Sequence, residues 1–165
     1  MTLPHAQVAT GIPRKGELLP DFEVLAPGGD LTRISDLRGR KTSVLVMAGQ
    51  SPADLVPYCR ELAASLASFT AEDSVVLVVV EGSSAEAARF AADYGLDNHV
   101  FADLNDRAHL LVGSAPAVFV TDRHGEIFAA FYGNAAELPR AHELLKWVQF
   151  VNMQCEECFP PEWPV

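Results

Sequence analysis

The hydrophobic positions of this chain follow two different patterns. Apolar runs, typical of strands that are buried on both faces, occupy residues 43–48, 74–80 and 117–121, with Ser43, Ser74 and Thr121 as their only polar positions. Between the first two runs, over residues 53–69, the apolar positions recur at steps of three and four, which predicts an amphipathic helix. A strand, a helix and a second apolar strand in this order predict a parallel crossover whose helix covers the sheet.

Turn residues and caps predict the remaining elements. Two β-hairpins are expected, one from residues 22–25 and 31–34 around Pro27–Asp30, and one from residues 117–121 and 127–132 around a four-residue loop. The other predictions are a helical turn over 35–39, a helix over 85–94 capped by Ser84, a strand over 99–102, a short helix from Asp103 or Asn105 through Val112, and a last helix over 135–153 with Pro139 in its first turn.

This order predicts an α/β fold with a mixed central sheet, helices on both faces and an N-terminal β-hairpin, which is a thioredoxin-like arrangement. We expect an N-terminal arm over residues 1–15, the folded domain over 16–153 and a tail over 154–165. A length of 165 residues suits one such domain.

Charge and hydropathy exclude several classes of partner. The chain carries 12 basic and 22 acidic residues, a formal net charge of −10, so nucleic acids and anionic membrane surfaces are unfavourable partners. The longest apolar run, residues 75–80, is far shorter than the ~20 residues that span a bilayer. Residues 1–20 show no secretory signal, so we expect a cytoplasmic protein with reduced thiols.

Several short motifs, in order, resemble one family. They are Pro20-Asp21-Phe22, LTRISDLRG over residues 31–39, the strand over 43–47, Phe101-Ala102-Asp103, and APAVFVTD over residues 115–122 followed by Gly125. Over residues 16–146 the chain resembles the alkyl hydroperoxide reductase and thiol-specific antioxidant family, the redoxin or peroxiredoxin-like branch of the thioredoxin superfamily. The resemblance implies a thiol-dependent antioxidant oxidoreductase that reduces a peroxide or a disulfide and is recycled by a thioredoxin-type reductant.

The family's chemistry takes place at the start of the helix after the first long strand, where free amide hydrogens and the helix dipole favour a thiolate. Here the segment reads Val56-Pro57-Tyr58-Cys59-Arg60, which resembles Cys-Pro-Tyr-Cys with Val56 in place of the first cysteine. In the peroxiredoxin register, Pro52 and Cys59 match and Val56 replaces the hydroxyl residue. A third register sets residues 51–54 against Cys-Pro-Pro-Cys and loses both thiols. No intact redox pair exists at this position.

Cys59 therefore has two readings, a catalytic nucleophile or a buried, inert helix cysteine. The resemblance implies that a substrate groove is lined by Val56, Pro57, Tyr58, Arg60, Ala115 and Pro116. Pro116 follows a cis peptide bond in the resembled fold. Ala115-Pro116 stands where peroxiredoxins commonly place an arginine, which leaves Arg60 as the nearby cation.

The tail contains the only Cys-x-x-Cys pattern, Cys155-Glu156-Glu157-Cys158. This motif has three interpretations: a catalytic exchange pair, half of a zinc site that a homodimer would complete, or neither. The two glutamates between the cysteines disfavour the thiolate form. In the resembled fold the last helix runs away from the active site. Cys155 should then lie opposite Cys59, and the two should not pair within one subunit.

No cofactor or metal site is predicted. The five histidines show no metal-ligand spacing and no Ser or Asp partner, and we expect them on the surface: His5, His99, His109, His124 and His142. Trp147 and Phe150 are expected to serve packing or an interface. The leading hypothesis is a thiol-dependent oxidoreductase that uses Cys59 and the pair Cys155 and Cys158. The alternative is a non-catalytic thioredoxin-like module that binds a protein or a small ligand near Val56 and Pro116.

Overall fold

The computed structural model describes residues 12–49, 52–112 and 116–154 of the chain. Within these residues, seven strands form one mixed sheet in the order β2-β1-β5-β4-β3-β6-β7. The strands are β1 (Glu23–Leu25), β2 (Leu31–Arg33), β3 (Thr42–Met47), β4 (Ser74–Val80), β5 (Val100–Asp103), β6 (Ala117–Thr121) and β7 (Ile127–Tyr132). The helices are α1 (Ile34–Arg38), α2 (Val56–Ala71), α3 (Ser84–Tyr94), α4 (Arg107–Val112) and α5 (Ala141–Asn152).

The centre of the sheet explains the apolar runs. Strands β3, β4 and β5 are parallel, and β6 lies antiparallel beside β3. Successive side chains of β3 enter two separate cores, since Val44 and Val46 belong to one cluster and Leu45 and Met47 to the other. Both faces of the central strands are covered, so most positions are apolar, and the polar ones lie near the strand ends: Thr42, Ser43, Ser74, Asp103 and Thr121. The predicted thioredoxin-like fold is confirmed.

Both predicted hairpins are present as antiparallel pairs, β1 with β2 and β6 with β7. The N-terminal hairpin also joins the main sheet, because β1 pairs antiparallel with β5. The parallel strands β3, β4 and β5 end at one edge of the sheet, and β6 begins at that edge. We call this edge the helix-start edge, because α2 begins there after β3.

Local chemistry moves three helix boundaries away from the prediction. The cap of α3 is Ser83 rather than Ser84, and its hydroxyl accepts a hydrogen bond from the Glu86 amide at 3.1 Å. The short helix α4 begins at Arg107, since Asp103 still belongs to β5. The predicted helix over 135–153 is divided into a 3₁₀ turn at Ala135–Glu137 and α5.

Pro139 causes the last of these differences. The ring of a proline disfavours helical backbone at the preceding residue, and Leu138 is extended, with φ −73° and ψ 147°. The helix therefore restarts only at Ala141. Residues 1–11 and 155–165 lie outside the described residues, so the predicted arm and tail stay predictions. Among the helices of the described segments, none has the length and apolar character needed to span a membrane.

Candidate functional site

The start of α2 is where the resemblance places the chemistry. Strand β3 leads to Gly49, which has a φ of +72°, and the chain resumes in a 3₁₀ turn at Pro52–Leu55 that runs directly into α2. The pairing of Met47 with Ala117 puts the beginning of β6, and with it Pro116, at the same edge. The predicted groove residues of α2 and Pro116 therefore share the helix-start edge.

The Cys59 thiol is sealed in the core beneath this edge. Cys59 is 0% exposed and belongs to the same apolar cluster as Leu55, Leu62 and Ala48. Burial raises the pKa of the Cys59 thiol from 9.0 to about 12. The Cys59 sulfur is therefore held in the neutral thiol form at neutral pH, whereas the thiolate is the reactive form. These surroundings favour the second reading of Cys59, a buried, inert helix cysteine.

The neighbours of Cys59 along the helix do not activate it. The Tyr58 side chain also points inward, and its hydroxyl donates a hydrogen bond to the Pro139 carbonyl at 2.8 Å. Burial raises the pKa of Tyr58, so the phenol stays neutral. Arg60 is exposed and stacks over the ring of Tyr94, with its guanidinium carbon 5.4 Å from the ring centroid. The cation expected near the sulfur is thus used in a surface contact.

Only part of the predicted groove reaches solvent. Val56 is half-buried, Pro57 is exposed and Pro116 is half-buried, whereas Tyr58 is internal. Ala115 lies outside the described residues, as does its peptide bond to Pro116. The predicted groove residues that reach solvent, Val56, Pro57 and Pro116, are apolar, and none of them is a nucleophile.

Helix α5 begins beside α2 and runs along it. Glu61 of α2 accepts a hydrogen bond from the Ala141 amide at 3.0 Å and pairs with Arg140 at 2.8 Å. At the other end, the Asn152 amide group donates to the Glu72 carbonyl at 2.6 Å, and its carbonyl accepts from Thr42, the first residue of β3. As expected, α5 carries the chain from the helix-start edge to the opposite edge of the sheet.

One histidine expected on the surface is instead buried and paired with a carboxylate. His109 is 9% exposed, and its Nδ1 lies 2.5 Å from Oδ2 of the buried Asp103. The same carboxylate accepts hydrogen bonds from the Ala108 and His109 amides and thereby caps α4. The expectation that no histidine has an acidic partner is wrong, because the partner lies six positions earlier on a strand end, where no helical spacing rule applies.

The fold and the helix start define this chain as a thioredoxin-like protein. The redoxin family profile matches residues 14–145, so the chain belongs to the redoxin family. No curated protein matches the sequence.

Solved structures with the same fold include redox proteins of several kinds. Peroxidoxin BcpB from Mycobacterium tuberculosis is 17% identical, with a TM-score of 0.70 over 83% of this chain and 97% of that chain. A peroxiredoxin-like protein from Aquifex aeolicus is 17% identical, with a TM-score of 0.73, and the match covers 87% of this chain and 90% of that chain. A protein from Chlorobium tepidum described as a thiol:disulfide interchange protein DsbE is 21% identical, with a TM-score of 0.68. The match covers 86% of this chain and 99% of that chain. At these identities the likeness is one of fold.

Proposed function

We propose that this chain is a thiol–disulfide exchange protein of the redoxin family whose exchange pair is Cys155 and Cys158, and that Cys59 has a structural role. The observation that carries the proposal is the complete burial of Cys59. The sequence contains three cysteines. A thiol-dependent reaction requires an accessible sulfur, so it falls to the two cysteines of the tail.

The same observation disfavours peroxide reduction at the helix start. Peroxide is attacked by a thiolate. Because its pKa is raised, Cys59 is almost entirely in the unreactive thiol form at neutral pH. In the peroxiredoxin register, moreover, Val56 offers no hydroxyl to orient the peroxide. A disulfide is therefore the favoured substrate of the two that the family resemblance implies.

The exchange follows a balanced sequence of steps. The thiolate of one tail cysteine attacks the substrate disulfide, forms a mixed disulfide and releases one substrate thiolate, which takes up a proton. The second tail cysteine attacks the mixed disulfide, releases the other substrate thiol and leaves a Cys155–Cys158 disulfide. A dithiol reductant then restores both thiols. Because Glu156 and Glu157 disfavour thiolates, we expect the exchange rate to rise with pH between 7 and 9.

Chain geometry supports a tail pair that works without Cys59. Asn152 contacts Glu72, and 13 helical residues at about 1.5 Å each separate Glu72 from Cys59, or roughly 20 Å. Three further residues reach at most about 11 Å, so the chain leaves α5 far from Cys59, which favours a tail pair that acts without it.

Single-cysteine variants test the proposal. Reduction of insulin disulfides, with dithiothreitol as the final reductant, is measured for the full chain and for Cys155→Ser, Cys158→Ser and Cys59→Ala. We expect the tail variants to lose turnover and Cys59→Ala to keep it within about twofold. Activity that survives the double tail variant and disappears with Cys59→Ala would refute the assignment.

The main competitor is a non-catalytic binding module. Two observations favour it, the replacement of the first cysteine by Val56 and the burial of Cys59. Its ligand would contact the exposed Pro57 beside the half-buried Val56 and Pro116. Absence of turnover in the wild-type chain, combined with no mixed disulfide by mass spectrometry after incubation with glutathione disulfide, would favour this module over the exchange protein.

A further inference from the structure

Three ligand-bearing side chains converge at the helix-start edge, outside the α2 site. Glu81 directly follows β4, Asp106 precedes α4, and His109 lies within α4. Each of these residues offers a nitrogen or oxygen atom, and the three atoms lie within 4.8 Å of one another. The segments meet because parallel strands β4 and β5 end at the same edge.

His109 gives this cluster a second, independent feature. Its side chain is 7% exposed, and Nε2 is buried without a hydrogen-bond partner among the described residues. Nδ1 faces the Asp103 carboxylate at 2.5 Å, and an ionised carboxylate can only accept, so Nδ1 carries a hydrogen. In the neutral ring, Nε2 then presents a lone pair, and it points toward Glu81 Oε1 at 3.5 Å.

A lone pair and a carboxylate oxygen that face each other repel unless a positive charge lies between them. A proton is one candidate, but a charge-assisted N–H···O bond is normally 2.7–2.9 Å long, well below the 3.5 Å observed. A tetrahedral metal with bonds of about 2.1 Å holds its ligand atoms about 3.4 Å apart. The observed separation matches the spacing around a metal ion better than that of a hydrogen bond.

The geometry points to a divalent metal site, best suited to Zn²⁺, formed by His109 Nε2 and the carboxylates of Glu81 and Asp106. One imidazole and two carboxylates are an ordinary ligand set for zinc, and their two negative charges balance the cation. Three protein ligands leave the fourth position for water or another donor. This site is independent of the thiol exchange proposed for the tail.

Asp103 supplies the outer support that such a site requires. Metal-bound histidines usually donate their other ring hydrogen to a carboxylate, which fixes the tautomer and the orientation of the ring. Asp103 is held in turn by the Ala108 and His109 amides, so its carboxylate is already positioned. Of the ligands, His109 is fixed by Asp103, whereas Asp106 is exposed and its ligand atom lies within 4.8 Å of the other two.

Zinc titration of the full chain tests the site. The tail thiols are first removed with Cys155→Ser and Cys158→Ser, so that they cannot bind the metal themselves. Isothermal titration calorimetry with Zn²⁺ on this metal-free background should show one equivalent bound. Glu81→Gln and His109→Gln should each weaken binding at least ~100-fold, and Asp103→Asn about 10–100-fold.

Two controls separate a metal site from general charge and folding effects. Asp93→Asn removes an exposed carboxylate of α3 and should leave zinc affinity unchanged. Glu81 is partly exposed, so Glu81→Gln should fold normally, which circular dichroism verifies. Zinc should also shift the ¹⁵N resonance of His109 Nε2 and leave His142 unchanged. Absence of zinc binding to the background protein, or a zinc affinity of Glu81→Gln and His109→Gln equal to that of the background protein, would overturn the inference.

Discussion

Two opposing effects act on the Cys59 sulfur, and their magnitudes decide its chemistry. The start of α2 stabilises a nearby negative charge by at most ~2 kcal/mol. Burial acts in the other direction, and a rise of the pKa from 9.0 to about 12 corresponds to roughly 4 kcal/mol against the thiolate. Desolvation therefore wins, and Cys59 behaves as a small apolar side chain of the core.

This role predicts how substitutions at Cys59 change stability. Cys59→Ala should lower the free energy of unfolding by about 1 kcal/mol, since it removes one buried atom. Cys59→Ser should cost about 1–3 kcal/mol more, because its hydroxyl would enter an apolar cluster. Urea unfolding measures both. The exposed Ala67→Ser on the same helix is the control and should stay within about 0.5 kcal/mol of wild type. Equal stability of the two Cys59 variants would contradict the buried role.

Sequence alone predicted part of this site and missed part of it. The loss of the redox pair is visible because Val56 occupies the first cysteine's place. The burial of Cys59 was also signalled, since it falls on the apolar stripe with Leu55 and Leu62. The burial of His109 and its contacts with Asp103 and Glu81 could not be predicted. These two carboxylates follow different strands, and only the tertiary structure brings them to the histidine.

At the level of elements, Asp21 joins the N-terminal hairpin to α1. Its carboxylate accepts hydrogen bonds from the Ser35 amide at 3.0 Å, the Ser35 hydroxyl at 2.7 Å and Arg33 at 3.2 Å. The residue before α1 makes no side-chain cap, so Asp21 provides one from outside the helix. Partial burial raises the pKa of Asp21, but the hydrogen bonds from Ser35 and the charge of Arg33 outweigh it and hold the pKa below its ordinary value.

Removal of this cap should have a pH-dependent cost. Asp21→Ala should lower the free energy of unfolding by about 1 kcal/mol at pH 7, a modest value because the carboxylate is 36% exposed. A lowered folded pKa means that the charged form contributes stability above pH ~4 and that this contribution is lost as the pH falls through the folded pKa.

Urea unfolding at pH 7 and pH 3 measures that difference. Asp21→Asn retains an acceptor oxygen, and its cost should be smaller than that of Asp21→Ala. The gap between wild type and Asp21→Asn should narrow at pH 3. A gap that widens on acidification would show that the carboxylate is not stabilised in its charged form.

The elements differ in how well sequence determines them. Strands β4, β6 and β7 match the predicted bounds, because apolar runs flanked by turn residues leave few alternatives. The last helix was predicted too long because its apolar periodicity continues across Pro139. That proline excludes helical backbone at Leu138, and the buried Pro139 carbonyl instead accepts from Tyr58. Periodicity shows which face is buried, whereas the break depends on backbone sterics.

At the scale of the whole molecule, the redoxin architecture is retained around a helix start whose cysteine, Cys59, is buried. Solved structures 17–21% identical share the fold over more than 80% of the chain, because a covered sheet requires only the pattern of apolar positions. The helix-start edge still brings together the end of β3, the first turn of α2 and the start of β6. At this edge Val56 stands where the resemblance places the first cysteine.

This arrangement predicts that Val56→Cys restores a redox pair. Position 56 is half-buried and is the first residue of α2. The helix dipole would stabilise a thiolate there, and the thiol would not be fully desolvated as Cys59 is. Residues three apart in a helix have Cα atoms about 5 Å apart, within the range of a disulfide.

In the Cys155→Ser, Cys158→Ser background, Val56→Cys should therefore gain insulin reduction and an intramolecular disulfide with Cys59, detected by mass spectrometry. Ala64→Cys, exposed in the middle of α2, is the matched control and should gain neither. If the thiol at position 56 reacts with Ellman's reagent no faster than the thiol at position 64 at pH 7, the helix start has lost its activating field as well as its cysteine.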